Sequence, residues 1–223
     1  MFNYLSVTTK SKAISLDELY IVTDVETNGP IPGEYGMISL GSVAVDLEGT
    51  IYGLFYVNLI PAEGSYEDPD TMAFWQKNPK AYAQSTYQPL DPRTAMIKYQ
   101  AWLEELKVNH CQNLRLVADC SFDWMFVQYC LVRYLGTMPL GYNSINTKSL
   151  AWGLYPDKTY NKVWLDRWSS KKYRHNHIAI CDAIGEAFEF VGLMRELRKL
   201  PAIIELTTPT IELQEAMLNI KKT

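Results

Sequence analysis

The chain predicts an α/β fold, a mixed sheet covered by helices. Two features of the 223-residue sequence carry that expectation: β-type stretches that open the chain as a hairpin, and a later alternation of helical patterns with short apolar strands. Composition agrees. At 48% hydrophobic and 21% charged residues, the chain can fill a core and is not disordered.

The elements follow in order. Residues 1–18 read as a polar lead-in. Residues 19–26 read as the first strand, because Ile21, Val22 and Val25 favour extended structure and Asn28-Gly29-Pro30 ends it with turn residues. Residues 37–46 form a second strand, Leu47-Glu48-Gly49-Thr50 a turn, and residues 51–60 a third strand, so the first three strands are antiparallel. Residues 71–84 are helical in flavour. Asp91-Pro92 starts a longer helix, with Asp as N-cap and Pro at the first helical position; Met96, Tyr99, Leu103 and Leu106 then recur at helical spacing. Residues 114–118 are a short apolar strand. Residues 121–135 are a helix with Ser121 as N-cap, ended by Gly136. Residues 143–146 are a strand and 147–154 a short helix. The rest of 137–176, rich in Tyr, Trp, Lys and Arg, reads as a long loop. Helices at 178–197 and 210–222 close the chain. This gives a five-stranded sheet in a domain spanning 19–200, with 201–223 as a C-terminal helical extension.

Several classes of function drop out early. A net charge of −4 means that a polyanion-binding protein of this sequence must concentrate its cations locally or bridge phosphates with metal. The four cysteines, Cys111, Cys120, Cys130 and Cys181, form no C-x-x-C pair, which argues against zinc and a disulfide framework and for reduced thiols. The first residues show no secretory pattern, and no run of about 18 apolar residues would span a membrane. The expectation is a cytoplasmic protein.

The most informative residues are Asp24 and Glu26. Two apart on a strand, their carboxylates share one face of an apolar element. Burying two like charges a few ångströms apart is unfavourable unless a cation sits between them, and a divalent metal with oxygen ligands is the simplest such cation. A solvated strand end is the competing reading of this pair alone. A second acid, Asp123, lies in the first turn of the 121–135 helix, where it would also complement the helix dipole. Asp119 is its local competitor for a functional role. A third group is His177 with Asp182. Five residues at about 100° each leave them about 140° apart, so they cannot share a face of one regular helix. His177 therefore belongs to the loop before the helix, where an imidazole can approach a site as a base; a surface histidine would look the same. Ala179, Ala183 and Ala187 recur every four residues. That face would let the helix lie close to the first strand and bring Asp182 near Asp24, though helix propensity alone also favours alanine.

Asp24-x-Glu26, then Ser121-Phe122-Asp123, then His177-x4-Asp182, in this order on an α/β pattern, resembles the DEDDh exonucleases, the DnaQ-like 3′–5′ exonucleases of the RNase H-like fold. The match covers about residues 19–192. Thr27-Asn28-Gly29 is similar to the Thr-x-Gly that often follows the first motif, and His177 matches the histidine subclass. The resemblance implies an RNase H-like sheet and two divalent metal ions, Mg²⁺ or Mn²⁺. Asp24, Glu26 and Asp182 would hold the first, and Asp24 would bridge to the second with help from Asp123. His177 would take a proton from the attacking water, and the product would be a nucleoside 5′-monophosphate. Asp119-Cys120 departs from the His-Asn or Gly-Asn that often precedes Ser-Phe-Asp, and Asn146-Thr147 stands where an Asp-Thr pair is common.

Substrate contacts are expected from several residues. Thr71-x3-Trp75 resembles a region of an exoribonuclease subgroup best known from actinobacteria, in which aromatic residues stack on terminal bases. Trp75 would be such a platform, or part of the core. Thr27, Asn28 and Gly29 lie where backbone amides would meet the 3′ end, and Ser121 belongs to the second motif. Arg167, Lys171, Lys172, Arg174 and His175 form a basic cluster before His177, a candidate phosphate-contacting loop or a solvated one. The expected partner is the 3′ end of single-stranded RNA or DNA, with RNA favoured by the resemblance. A DNA proofreading or repair exonuclease is the enzyme alternative, and a catalytically silent module that binds nucleic acid or protein is the alternative from another class. Several relatives of this kind pair into homodimers, and the segment 211–220 is available to pack on a partner.

Overall fold

The computed structural model describes residues 1–9, 17–155, 172, 175–203 and 205–221. Its strands are β1 (Tyr4–Thr8), β2 (Leu19–Thr27), β3 (Met37–Val45), β4 (Ile51–Asn58), β5 (Leu114–Ala118) and β6 (Ser144–Asn146). They form one mixed sheet in the order β1-β4-β3-β2-β5-β6. β2, β3 and β4 are mutually antiparallel as expected, and β5 and β6 continue parallel to β2. The helices among the described residues are α1 (Pro69–Lys77), α2 (Pro79–Ser85), α3 (Pro92–Asn109), α4 (Ser121–Leu135), α5 (Thr147–Leu154), α6 (Ala179–Leu197) and α7 (Ile211–Ile220).

The sheet therefore has six strands among the described residues, not five. The addition lies inside the supposed lead-in: Tyr4 to Thr8 pairs antiparallel with β4 as an edge strand. Its five residues, two of them Ser and Thr, gave too short an alternation to stand out. Leu5 and Val7 pack on one core cluster and Tyr4 on the other. The helix expected over 71–84 is two helices. Pro79 has no N–H to continue α1, so Asn78 caps α1 through Trp75 O and Pro79 restarts the chain as α2. Ser121 is not the N-cap of α4. Cys120 holds that place in extended conformation, and Ser121 is the exposed first helical residue.

Two apolar layers flank the sheet. Tyr20, Val22, Val43 and Tyr56 face α6 and α7, while Ile21, Val25, Phe55 and Val57 face α3 and α4. This is the period-2 alternation of strands buried on both faces. Asp24 and Glu26 continue the Tyr20–Val22 row, so they lie on the α6 side. Helix α7 is part of the same body: Leu213, Ala216, Met217 and Ile220 are buried in the α6-side core. The Ile51 N–H donates to Thr207 O at 2.8 Å just before it. One face of 211–220 therefore packs on its own sheet, while Ile211 and Leu218 stay exposed on the other side. No described helix is long and apolar enough to cross a membrane.

Candidate active site

The site lies at the C-terminal ends of the parallel neighbours β2 and β5, where an α/β sheet opens a crevice. Asp24 and Glu26 end β2. Ala118 ends β5, and three residues later α4 begins, carrying Asp123 in its first turn. The Val25 N–H, between the two β2 acids, donates to Asp123 Oδ1 at 3.2 Å, which ties α4 to β2. The Cys120 thiol donates to Asp123 Oδ2 at 3.5 Å.

Asp182 arrives from the other layer. The Ala179, Ala183 and Ala187 stripe is fully buried against the sheet, as expected for a close-packed helix face. The approach is tighter than alanine alone requires, because β3 contributes Gly41, opposite Asp24 in the register. A Cβ on Gly41 would lie 2.4 Å from the Ala179 carbonyl carbon. Asp182 then accepts from the Asn176 N–H at 2.8 Å and the His177 N–H at 3.0 Å, so this carboxylate holds the loop that carries the histidine. His177 has a φ of +61°, in the left-handed region that costs a non-glycine residue energy and persists where surroundings impose it. Its ring meets Phe74 edge-on at 4.9 Å. Glu26, His177 and Asp182 each present a ligand atom, and these atoms lie within 4.8 Å of one another.

The electrostatics are those of a site built for cations. Burial, then Glu186 and the neighbouring acids, hold the Asp24 carboxyl well above the usual range. Burial, then Asp182 and Asp123, do the same to Glu26. Burial pushes Asp123 up to about 6 despite the Val25 amide. Burial raises Asp182 too, opposed by His175 and the two loop amides. Asp24 Oδ2 is buried with no hydrogen-bond partner. Hard oxygen donors crowded together, one of them orphaned, fit Mg²⁺- or Mn²⁺-type cations.

The expected substrate residues fare differently. Trp75 is 2% exposed, and its indole N–H donates to Thr27 O at 2.9 Å. It is a buttress under the first motif, not an open stacking surface. Phe74, beside it and 37% exposed, is the more open ring of a cleft of about 390 Å³ also lined by Glu26, Thr27, Gly29, Trp75 and Phe122. The Asn28 backbone amide is taken by Gly36 O at 3.0 Å, and its side-chain Oδ1 accepts from the Gly36 N–H, so it builds the loop and does not offer a free backbone amide. Thr27 Oγ1 donates to Gly29 O at 2.9 Å. Gly29 is there for space: a Cβ would lie 2.2 Å from the Tyr35 ring. Arg174, with Arg167 and Lys171, lies outside the described residues. Lys172 pairs with Glu205 at 2.5 Å. His175 faces Asp182 at 3.8 Å and Glu189 at 3.9 Å, turned toward acids. Asp119 is matched by Lys148 at 2.5 Å. Sequence reasoning missed Glu186, which is 3% exposed. The signal was present, since Glu186 is four residues after Asp182 on an apolar helix.

Comparisons with known proteins follow the same line. No family model matches the chain. The 3′–5′ DNA exonuclease Cap18 of Escherichia coli is 30% identical over 138 residues, 61% of this chain and 70% of that protein. The chain belongs to the DEDDh 3′–5′ exonuclease family. Its fold is shared by the nuclease domain of 3′hExo, a DEDDh member bound to rAMP, with a TM-score of 0.62 over 87% of this chain and all of that one at 13% identity. Escherichia coli Exonuclease I in complex with a dT13 oligonucleotide gives a TM-score of 0.56 over 82% of this chain and 42% of that one, also at 13% identity. This exonuclease is accordingly a metal-dependent phosphodiester hydrolase of RNase H-like architecture.

Proposed function

We propose that this exonuclease removes nucleotides from the 3′ end of single-stranded DNA and releases nucleoside 5′-monophosphates, using two divalent cations, Mg²⁺ or Mn²⁺, and His177 as general base. The observation that carries it is the convergence of Asp24, Glu26, Asp123, Asp182 and His177 from β2, α4, α6 and the loop before α6 onto one end of the sheet, beside an aromatic cleft. Two cations held by the four carboxylates would stabilise the negative charge that builds on the phosphoryl oxygens during displacement.

The chain's own residues supply the rest. Asp24 and Glu26 stand on a rigid central strand, so their spacing is set by the pleat. Asp123 is held to the same strand by the Val25 amide. Asp182 orders the Asn176–His177 backbone, which positions the imidazole to accept the proton of the attacking water. Phe74 offers an exposed ring on which a terminal base can stack whatever its identity.

DNA is favoured over RNA for two reasons. The relative at 30% identity is a DNA exonuclease. The resemblance that favours RNA rests on Thr71-x3-Trp75, and the Trp75 ring is buried with its N–H engaged. The test is incubation of 5′-labelled single-stranded DNA and matched RNA with Mn²⁺, with Mg²⁺ and with chelator, beside Asp182→Ala. A ladder shortening from the 3′ end of DNA, dependent on metal and absent in the variant, is the expected result. Faster degradation of RNA would reverse the sugar assignment, and cleavage of neither strand by folded protein would leave a silent binding module.

A further inference from the structure

We propose that Glu186 is a fifth carboxylate of the cation-binding cluster, holding divalent metal together with Asp24 and Asp182. The proposal rests on the metal-dependent exonuclease reading above. It adds to that reading a residue outside the Asp24, Glu26, Asp123 and Asp182 set.

Position comes first. Glu186 is four residues after Asp182 on α6, about 400° of rotation, so the two side chains stand on one face, one turn apart. That face is the one pressed onto the sheet through Gly41, the residue opposite Asp24. Glu186 is 3% exposed, and its Oε2 is buried with no hydrogen-bond partner.

Four of the neighbouring acids have a partner. Asp119 has Lys148, Asp123 has the Val25 amide, Asp182 has two loop amides, and Glu189 faces His175. Only Asp24 Oδ2 shares the condition of Glu186 Oε2 among the described acids. Two orphaned carboxylate oxygens in one cluster are a poor arrangement for a protein that never binds a cation there, since an apolar residue would pack at no electrostatic cost.

A neutral Glu186 that merely fills space is the competing role, and Glu186→Gln separates the two because it keeps shape and hydrogen-bonding capacity and removes the charge. Mn²⁺ binding to the full chain would be measured by titration calorimetry and by electron paramagnetic resonance of free Mn²⁺, with thermal melting of the cation-free and Mn²⁺-loaded forms. Glu186→Gln is expected to weaken Mn²⁺ binding by about tenfold or more, to melt higher than wild type without metal, and to gain less from Mn²⁺. Wild-type Mn²⁺ affinity in Glu186→Gln would overturn the proposal. Should that variant fail to fold, Glu186→Asp keeps the charge but draws it back by one methylene; weakened binding supports the proposal and unchanged binding overturns it. Asp24→Asn is the control for the parent reading. Wild type that binds no Mn²⁺, or Asp24→Asn that binds as wild type does, removes the metal site itself and the proposal with it. Loss in Asp24→Asn with none in Glu186→Gln removes the proposal alone.

Discussion

Gly41 of β3 stands opposite Asp24 of β2, and the Cβ it lacks would lie 2.4 Å from the carbonyl carbon of Ala179 at the start of α6. One missing methyl thus sets the distance between the strand that carries two acids and the helix that carries two more. Gly41→Ala must push α6 outward, because the clash is with backbone and no side chain can swing away. The expected cost is about 1–3 kcal/mol of stability, read by denaturant unfolding. Mn²⁺ affinity should fall as well, since Asp182 and Glu186 retreat from Asp24. Wild-type Mn²⁺ affinity in a destabilised variant would mean that the site tolerates the displacement.

The cation-free protein should lose stability as pH rises. Asp123 has a folded value of about 6 against 3.8 for an ordinary aspartate, and Asp24, Glu26 and Asp182 are raised in the same direction. A group whose folded pKa is raised stabilises the fold fully below its unfolded pKa and loses that contribution as pH climbs through the folded value. For Asp123 the window is about pH 4 to 6. Melting temperature in chelator should therefore decline across that window, and saturating Mg²⁺ should flatten or reverse the decline. A melting temperature that climbs in chelator between pH 4 and 6 would contradict the carboxylate cluster as described.

His177→Ala should lower turnover by about 10²–10⁴-fold, the usual worth of a positioned base. Mn²⁺ binding should persist in the variant, since the four carboxylates remain. The His177 ring does lie among ligand atoms of Glu26 and Asp182. A large loss of Mn²⁺ affinity would therefore reassign the ring from base to ligand.

Phe74 and Trp75 should part company on mutation. Phe74→Ala removes an accessible ring and is expected to raise KM on short oligonucleotides by the equivalent of about 1–3 kcal/mol, with little change in melting temperature. Trp75→Phe leaves the Thr27 carbonyl without its donor and is expected to cost about 1 kcal/mol or more of stability. Steady-state kinetics and thermal melts on both variants decide the pair; a KM effect confined to Trp75→Phe would return the stacking role to Trp75.

Local chemistry already present in the chain determined much of this protein. Alternation and turn residues marked β2 to β5. Asp91-Pro92 marked the start of α3, where Asp91 does accept from the Thr94 N–H. The Asp24-x-Glu26, Asp123 and His177-x4-Asp182 order was legible because the chemistry needs those residue types and because their spacing is local. Tertiary structure alone decided the rest. β1 exists because β4 offers it an edge, and five residues of moderate propensity do not announce that. How far Trp75 and Phe74 each open to the cleft depends on which side of α1 meets Thr27. Asp182 and Glu186 reach Asp24 through Gly41, a residue 138 positions before Ala179 in the chain. Sequence records which groups can bear charge or pack; only packing brings residues far apart in the chain into the same few ångströms.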